Sequence, residues 1–83
     1  MNATEITERI IAEVKIAIDE GYNRFYINVD NLEDGSGFIR VLAMFELKDK
    51  ILFEGTYSLD VCYDVLNQMA GSEYIIQDVT TRW

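Results

Sequence analysis

Alternation of apolar and polar residues between positions 39 and 57 constrains the fold of this chain most. The odd-numbered positions of this stretch are apolar or glycine, apart from an interruption at residues 48–50. Side chains of a β-strand point alternately to its two sides, so the pattern predicts two strands that share one apolar face. A hairpin loop at 48–50 would place Phe45 opposite Phe53, and Ala43 opposite Gly55. A two-residue loop would mix the two faces, so the pattern favours the longer loop, with a hollow at the small pair for a helix to approach.

Two helices and two further strands are predicted around this hairpin. Apolar residues at helical spacing predict a first helix from Thr4 to Glu20, capped by Asn2 or Thr4, and a second that starts after Ser58. Gly71 would end the second helix. Ile16 falls on the polar side of the first helix, where we expect it to be exposed. Alternation and β-branched residues predict strands at 23–30 and, C-terminal to the second helix, at 74–80.

The order of these elements, α-β-β-β-α-β, predicts one α+β domain that spans residues 1–83. We expect a two-layer sandwich in which a three-strand antiparallel meander and a fourth strand form the sheet. A right-handed crossover would place the fourth strand parallel to its neighbour, and we favour the strand order 3-2-1-4. Both helices would cover the face that carries the apolar residues Ile39, Val41, Phe45 and Phe53.

The charge balance limits the partners that this domain could bind. Fifteen acidic and seven basic residues give a net charge of −8, which disfavours direct binding to nucleic acid or to an anionic membrane and favours a basic partner. The first five predicted elements follow the order found in double-stranded-RNA-binding domains. Those domains need basic residues in the second helix, whereas this one carries Asp60 and Asp64 and no lysine or arginine. The sequence lacks a signal-peptide pattern and a run of membrane-spanning length, so we expect a cytoplasmic protein.

Few residues in the chain could support catalysis or bind a cofactor. The chain has no histidine and one cysteine, Cys62, which leaves no zinc site and no activated nucleophile. Cys62 falls on the apolar side of the second helix, where we expect a buried thiol. The segment 30–35 resembles half of a calcium loop, but Leu32 and Val41 occupy positions that need oxygen ligands. We therefore expect no enzymatic activity, no metal and no cofactor.

The second face of the predicted sheet gives the functional hypothesis. No helix would remain to cover it, unless the helices divide between the two faces or a tail with Trp83 folds over it. An apolar patch with a charged rim on such a face is typical of a protein-binding surface. The predicted interface residues are Tyr26, Phe38, Arg40, Leu42, Met44, Leu52 and Glu54.

Two classes of function are consistent with this surface. The first is a small acidic inhibitor or adaptor that docks on a basic site of a larger protein. In its sharpest form it would occupy a nucleic-acid-binding site with carboxylates in place of phosphates, as anti-CRISPR and anti-restriction proteins do. The second is a structural homodimer, or a subunit of a larger assembly, joined through the exposed sheet face.

Overall fold

The computed structural model describes residues 1–70 and the backbone of residues 77–82. Its elements are α1 (Ala3–Asp19), β1 (Arg24–Asn31), β2 (Ser36–Phe45), β3 (Lys48–Ser58), α2 (Leu59–Ala70) and β4 (Gln77–Arg82). The fold is α+β, with two helices and a three-strand antiparallel sheet in which β2 lies between β1 and β3. The predicted end of the second helix at Gly71, the predicted start of the fourth strand and Trp83 all lie outside the described residues.

Local hydrogen bonds set the limits of helix α1. The Asn2 side chain accepts a hydrogen bond from the Glu5 amide, and the Glu5 side chain accepts one from the Asn2 amide, which forms a capping box. At the other end Gly21 adopts a φ of +103°, and the amides of Gly21 and Tyr22 donate to the carbonyls of Ile18 and Ala17. This is a Schellman motif, whose left-handed residue is most often glycine. The capping box at the start of the helix confirms the predicted N-cap at Asn2.

Side chains from both helices and all three antiparallel strands form one core. Buried residues alternate with half-buried ones along β1 and β2, as expected when one side of a strand faces the core. We call the side with the buried residues the core face and the opposite side the outer face. From β1 and β2 the core face carries Phe25, Ile27, Val29, Gly37, Ile39, Val41 and Ala43.

Most of the predicted helix faces are confirmed. Cys62, Val65, Leu66 and Met69 of α2 are buried, and Ile16 of α1 is exposed. The Ser58 hydroxyl accepts a hydrogen bond from the Val61 amide, so the predicted cap of α2 is also confirmed. Ile18 was expected on the buried side of α1. It is 45% exposed, whereas Ala17 in the same turn is inaccessible.

The predicted hairpin register is wrong. The turn consists of two residues, Glu46 and Leu47, and Phe45 pairs with Lys48. Glu46 takes a φ of +54°, which glycine or asparagine would adopt at lower cost. Leu47 is fully exposed. The sequence therefore lacks the usual signal of a tight turn.

A β-bulge in β3 reconciles the short turn with the apolar pattern. Val41 pairs with Phe53 but Leu42 pairs with Ile51, so Leu52 is the extra residue. In the part of β3 between the bulge and α2, Phe53 and Tyr57 face the core as predicted. In the part between the hairpin turn and the bulge, the alternation of faces is shifted by one residue, and Ile51 is 51% exposed. An extra residue restores the alternation that a two-residue turn would otherwise break.

The predicted pairing of Ala43 with Gly55 and the predicted hollow at this pair are both wrong. Ala43 pairs with Lys50, and Gly55 pairs with Ile39. Gly55 leaves no hollow, since a Cβ there would meet ring atoms of Tyr57 at 2.6–2.9 Å. Helix α2 approaches the sheet closely at another glycine, since a Cβ on Gly37 would lie 2.8 Å from Sγ of Cys62.

Candidate functional site

The outer face of the sheet carries six of the seven predicted interface residues. Strand pairing fixes which side chains are neighbours, because directly opposite residues point to the same side. Read from β1 through β2 to β3, the four rows of this face are Arg24–Met44–Asp49, Tyr26–Leu42–Ile51, Asn28–Arg40–Glu54 and Asp30–Phe38–Thr56.

Leu52 is the exception among the predicted interface residues. It is 9% exposed and belongs to the core, because the bulge turns it to the opposite side from the one expected. Ile51 takes its place, next to Leu42 on the outer face. Sequence reasoning missed Ile51 because the alternation in β3 was followed without a break.

Apolar side chains on the outer face are accessible in the described part of the chain. Tyr26, Phe38, Leu42 and Met44 are half-buried, and Ile51 is 51% exposed. Their burial contrasts with that of Ile27, Ile39 and Val41 on the same strands, which are inaccessible. The outer face therefore has an apolar row, Tyr26–Leu42–Ile51, with Met44 in the row on one side, whereas Phe38 lies beyond the Arg40 row on the other side.

The charged residues at the centre of this face are paired with each other. Nε of Arg40 donates to Oε2 of Glu54 at 2.8 Å, and the Arg40 guanidinium lies 5.5 Å from the centre of the Phe38 ring. Both partners of the ion pair are partly exposed, at 46% and 38%, so the pair contributes little to stability. Its effect is to neutralise charge: the middle of the outer face has no net charge to attract a partner.

Carboxylates are concentrated at one end of the sheet. The β1–β2 loop and the start of α2 lie at this end, because Ser36 pairs with Ser58. Tyr63 of α2 donates to the Asn31 side chain at 3.5 Å, which joins helix and loop. We call the five carboxylates of this region the acidic end: Asp30, Glu33, Asp34, Asp60 and Asp64.

Basic residues are absent from the segments that form the acidic end. No lysine or arginine occurs in 25–39 or 51–70, although the backbone of Arg82 pairs with that of Asp30. Side-chain and backbone hydrogen bonds from Ser36 lower the pKa of Asp34, because they stabilise the ionised carboxylate. In contrast, the hairpin end is mixed: Lys50 binds Glu20 at 2.7 Å, and this hydrogen bond raises the pKa of Lys50.

The remaining polar features do not form a metal site within the described residues. Cys62 is buried, as predicted, and burial raises the pKa of its thiol. Among residues 1–70, no three carboxylate or thiol groups converge on a point where a metal ion could bind. Asp34, which lies in the segment that resembles half of a calcium loop, uses its carboxylate to accept hydrogen bonds from the amide and hydroxyl of Ser36.

The clefts that open to solvent in the described part of the molecule include the following two. One lies beside the hairpin, between Tyr22 and Phe45. The other lies between α1 and β3 and is lined by Arg9, Glu13 and Tyr57, among others. Neither cleft contains a nucleophile with an adjacent base.

Neither described helix is long and apolar enough to cross a membrane.

The fold and these surfaces define a small acidic α+β protein. Comparison of the chain with family models, with curated proteins and with solved structures finds no match.

Proposed function

We propose that this protein is a small acidic protein-binding module that docks through its acidic end on a basic surface of a larger protein, as an inhibitor or adaptor. The observation that carries the proposal is the separation of charge. Five carboxylates belong to segments at one end of the sheet that contain no lysine or arginine, whereas the middle of the outer face is internally neutralised. A basic partner would therefore be drawn to the acidic end.

The arrangement also supports the inhibitor form of this proposal. Asp60 and Asp64 are four residues apart on α2, so their carboxylates follow one side of a helix. The loop that carries Glu33 and Asp34 lies beside the start of that helix. Carboxylates spread over a helix and a loop in this way could occupy a site that normally holds phosphates.

The proposal extends to the architecture. The domain is a two-layer sandwich in which both helices lie against the core face and β4 completes the sheet beside β1. The shared core of helices and strands supports the first point. Parallel pairing of the β4 backbone with β1 supports the second, and in this arrangement the outer face stays free of helices.

Salt-dependent binding tests the proposed function. Tagged protein would be immobilised and exposed to lysate at low ionic strength, and bound proteins would be eluted with a salt gradient and identified. Asp60→Asn/Asp64→Asn removes two charges from the acidic end, and Glu8→Gln/Glu46→Gln removes two exposed charges elsewhere as the matched control. We expect a basic partner that elutes with salt, is lost by the first variant and is kept by the second.

Two results would contradict the proposal. One is retention that does not respond to salt. The other is equal loss of the partner in both double variants, since that would implicate net charge rather than the acidic end. If the partner binds nucleic acid, filter binding with added module separates an inhibitor, which displaces the nucleic acid, from an adaptor, which does not.

A second candidate function is a structural module that assembles through the outer face. The internal pairing of Arg40 with Glu54 favours it, because a face whose charges are already neutralised can be covered without leaving a buried charge unpaired. The inference below specifies the partner on that face.

A further inference from the structure

We infer that the partner on the outer face is a second copy of this chain, placed by a two-fold axis that runs along β2. The inference rests on the second candidate function and is independent of the acidic end. It comes from the order of residues in two adjacent rows of the outer face.

The apolar row is complementary to itself about β2. Leu42 lies on the middle strand, between Tyr26 on β1 and Ile51 on β3. A two-fold axis along β2 brings β1 of one copy over β3 of the other. Tyr26 then meets the partner's Ile51, and Leu42 meets the partner's Leu42, so apolar side chains contact apolar side chains across the whole row.

The next row is complementary in charge about the same axis. Arg24 on β1 and Asp49 on β3 are both exposed, one on each side of Met44. Neither forms an ion pair within the part of the chain that the structure describes. The axis along β2 sets Arg24 against the partner's Asp49 and repeats the pair by symmetry. It also sets Met44 against the partner's Met44.

An axis across the strands would lack this match. It would place β1 over the partner's β1 with reversed direction. If it ran through the Leu42 row, that row would meet itself, but Arg24 would face the partner's Asn28 and Asp49 the partner's Glu54. Either axis covers the Arg40–Glu54 pair, and the axis along β2 sets Arg40 against the partner's Arg40, each already paired with Glu54. The match of Arg24 with Asp49 therefore selects the axis along β2.

The dimensions of the face predict a dimer that dissociates on dilution. With strands about 4.8 Å apart and a rise of about 3.3 Å per residue, three strands of about seven residues present roughly 330 Å² in projection. A standard stable interface takes about 800 Å² from each partner. The net charge of −8 on each copy weakens association further, and salt should reduce this repulsion. The dimer should therefore tighten with salt, whereas docking on a basic partner should weaken.

Sedimentation of the full chain from about 1 µM to about 1 mM tests the inference. We expect the mass to rise from monomer toward dimer over this range. Ile51→Glu should weaken association by about tenfold or more, because it buries a charge at the interface. Ile16→Glu is the matched control: Ile16 is 49% exposed, compared with 51% for Ile51, but lies on α1. It should leave association unchanged, and circular dichroism would verify that both variants fold.

Charge reversal tests the axis. Arg24→Asp and Asp49→Arg should each weaken the dimer several-fold, and the double variant should restore it. A double variant no tighter than the weaker single variant would overturn the assigned axis. A wild-type protein that stays monomeric at every concentration would overturn the inference, and a loss of stability in monomeric Ile51→Glu would then indicate that the chain's own residues cover this face. In either case the proposed docking of the acidic end is tested separately, by the salt-dependent binding assay.

Discussion

The two faces of this sheet are made by the same strands but differ in what they do. On the core face, Ile27, Ile39 and Val41 are inaccessible and pack in one core with both helices. On the outer face, the residues between them are half-buried or exposed and include a paired arginine and glutamate. Packing in the core therefore dictates the residues of one face, whereas the other carries accessible apolar and charged side chains that lie outside this core. Such a surface is where a binding function can be encoded without loss of stability.

The largest expected effect on stability comes from substitution of one of the two adjacent residues at the bulge. Leu52 is in the core, and Ile51 is on the outer face. Leu52→Ala should reduce the free energy of unfolding by about 2–5 kcal/mol, and Ile51→Ala by less than about 1 kcal/mol. Urea denaturation of both variants at a concentration where the protein is monomeric measures the two values. Equal losses, or the reverse order, would show that the faces are assigned incorrectly.

A smaller effect is expected where α2 approaches the sheet. Gly37→Ala places a methyl group 2.8 Å from Sγ of Cys62, and overpacking of this kind costs about 1–3 kcal/mol. The matched control is Gly55→Ala, whose Cβ meets the half-buried ring of Tyr57, a side chain that can move toward solvent. We expect Gly55→Ala to cost less than Gly37→Ala.

A double-mutant cycle makes this second test specific. Cys62→Ala removes the sulfur atom, so Gly37→Ala should be less destabilising in that background than in the wild type. If its cost is the same in both backgrounds, the close approach between helix and strand is not its cause.

The smallest effect is expected at the centre of the outer face. Arg40 and Glu54 form an ion pair with both side chains partly exposed, so their coupling energy should be about 0.2–1 kcal/mol. A cycle of Arg40→Met and Glu54→Gln, measured by urea denaturation at low and high salt, gives this value. We expect the coupling to fall in high salt. A coupling well above this range would indicate a buried pair and would contradict an open outer face.

Much of the fold could be predicted from the sequence because it depends on local signals. The helical spacing of Leu59, Cys62, Val65, Leu66 and Met69 predicted the buried side of α2; the last four are buried and Leu59 is half-buried. Asn2 was recognisable as a cap because its side chain can accept a hydrogen bond from the first helical turn. These predictions needed no knowledge of distant contacts.

The hairpin register could not be predicted, because its turn and its bulge lack a local signal. Glu46 adopts a left-handed conformation without being glycine or asparagine, and Leu47 is an exposed apolar residue in a turn. The bulge at Leu52 is favoured by burial of that residue in the core, which is a tertiary contact. Pairing of Arg40 with Glu54 and the grouping of carboxylates at the acidic end likewise depend on which strands and loops become neighbours.

Methyl NMR in the presence of a soluble paramagnetic agent tests the central claim of two different faces most directly. At low concentration the methyl signals of Ile51 and Met44 should be strongly attenuated, and those of Leu52 and Ile39 should be protected. At high concentration Ile51 and Met44 should become protected as the proposed dimer forms. Protection of Ile51 and Met44 at every concentration, together with attenuation of Leu52, would contradict the account.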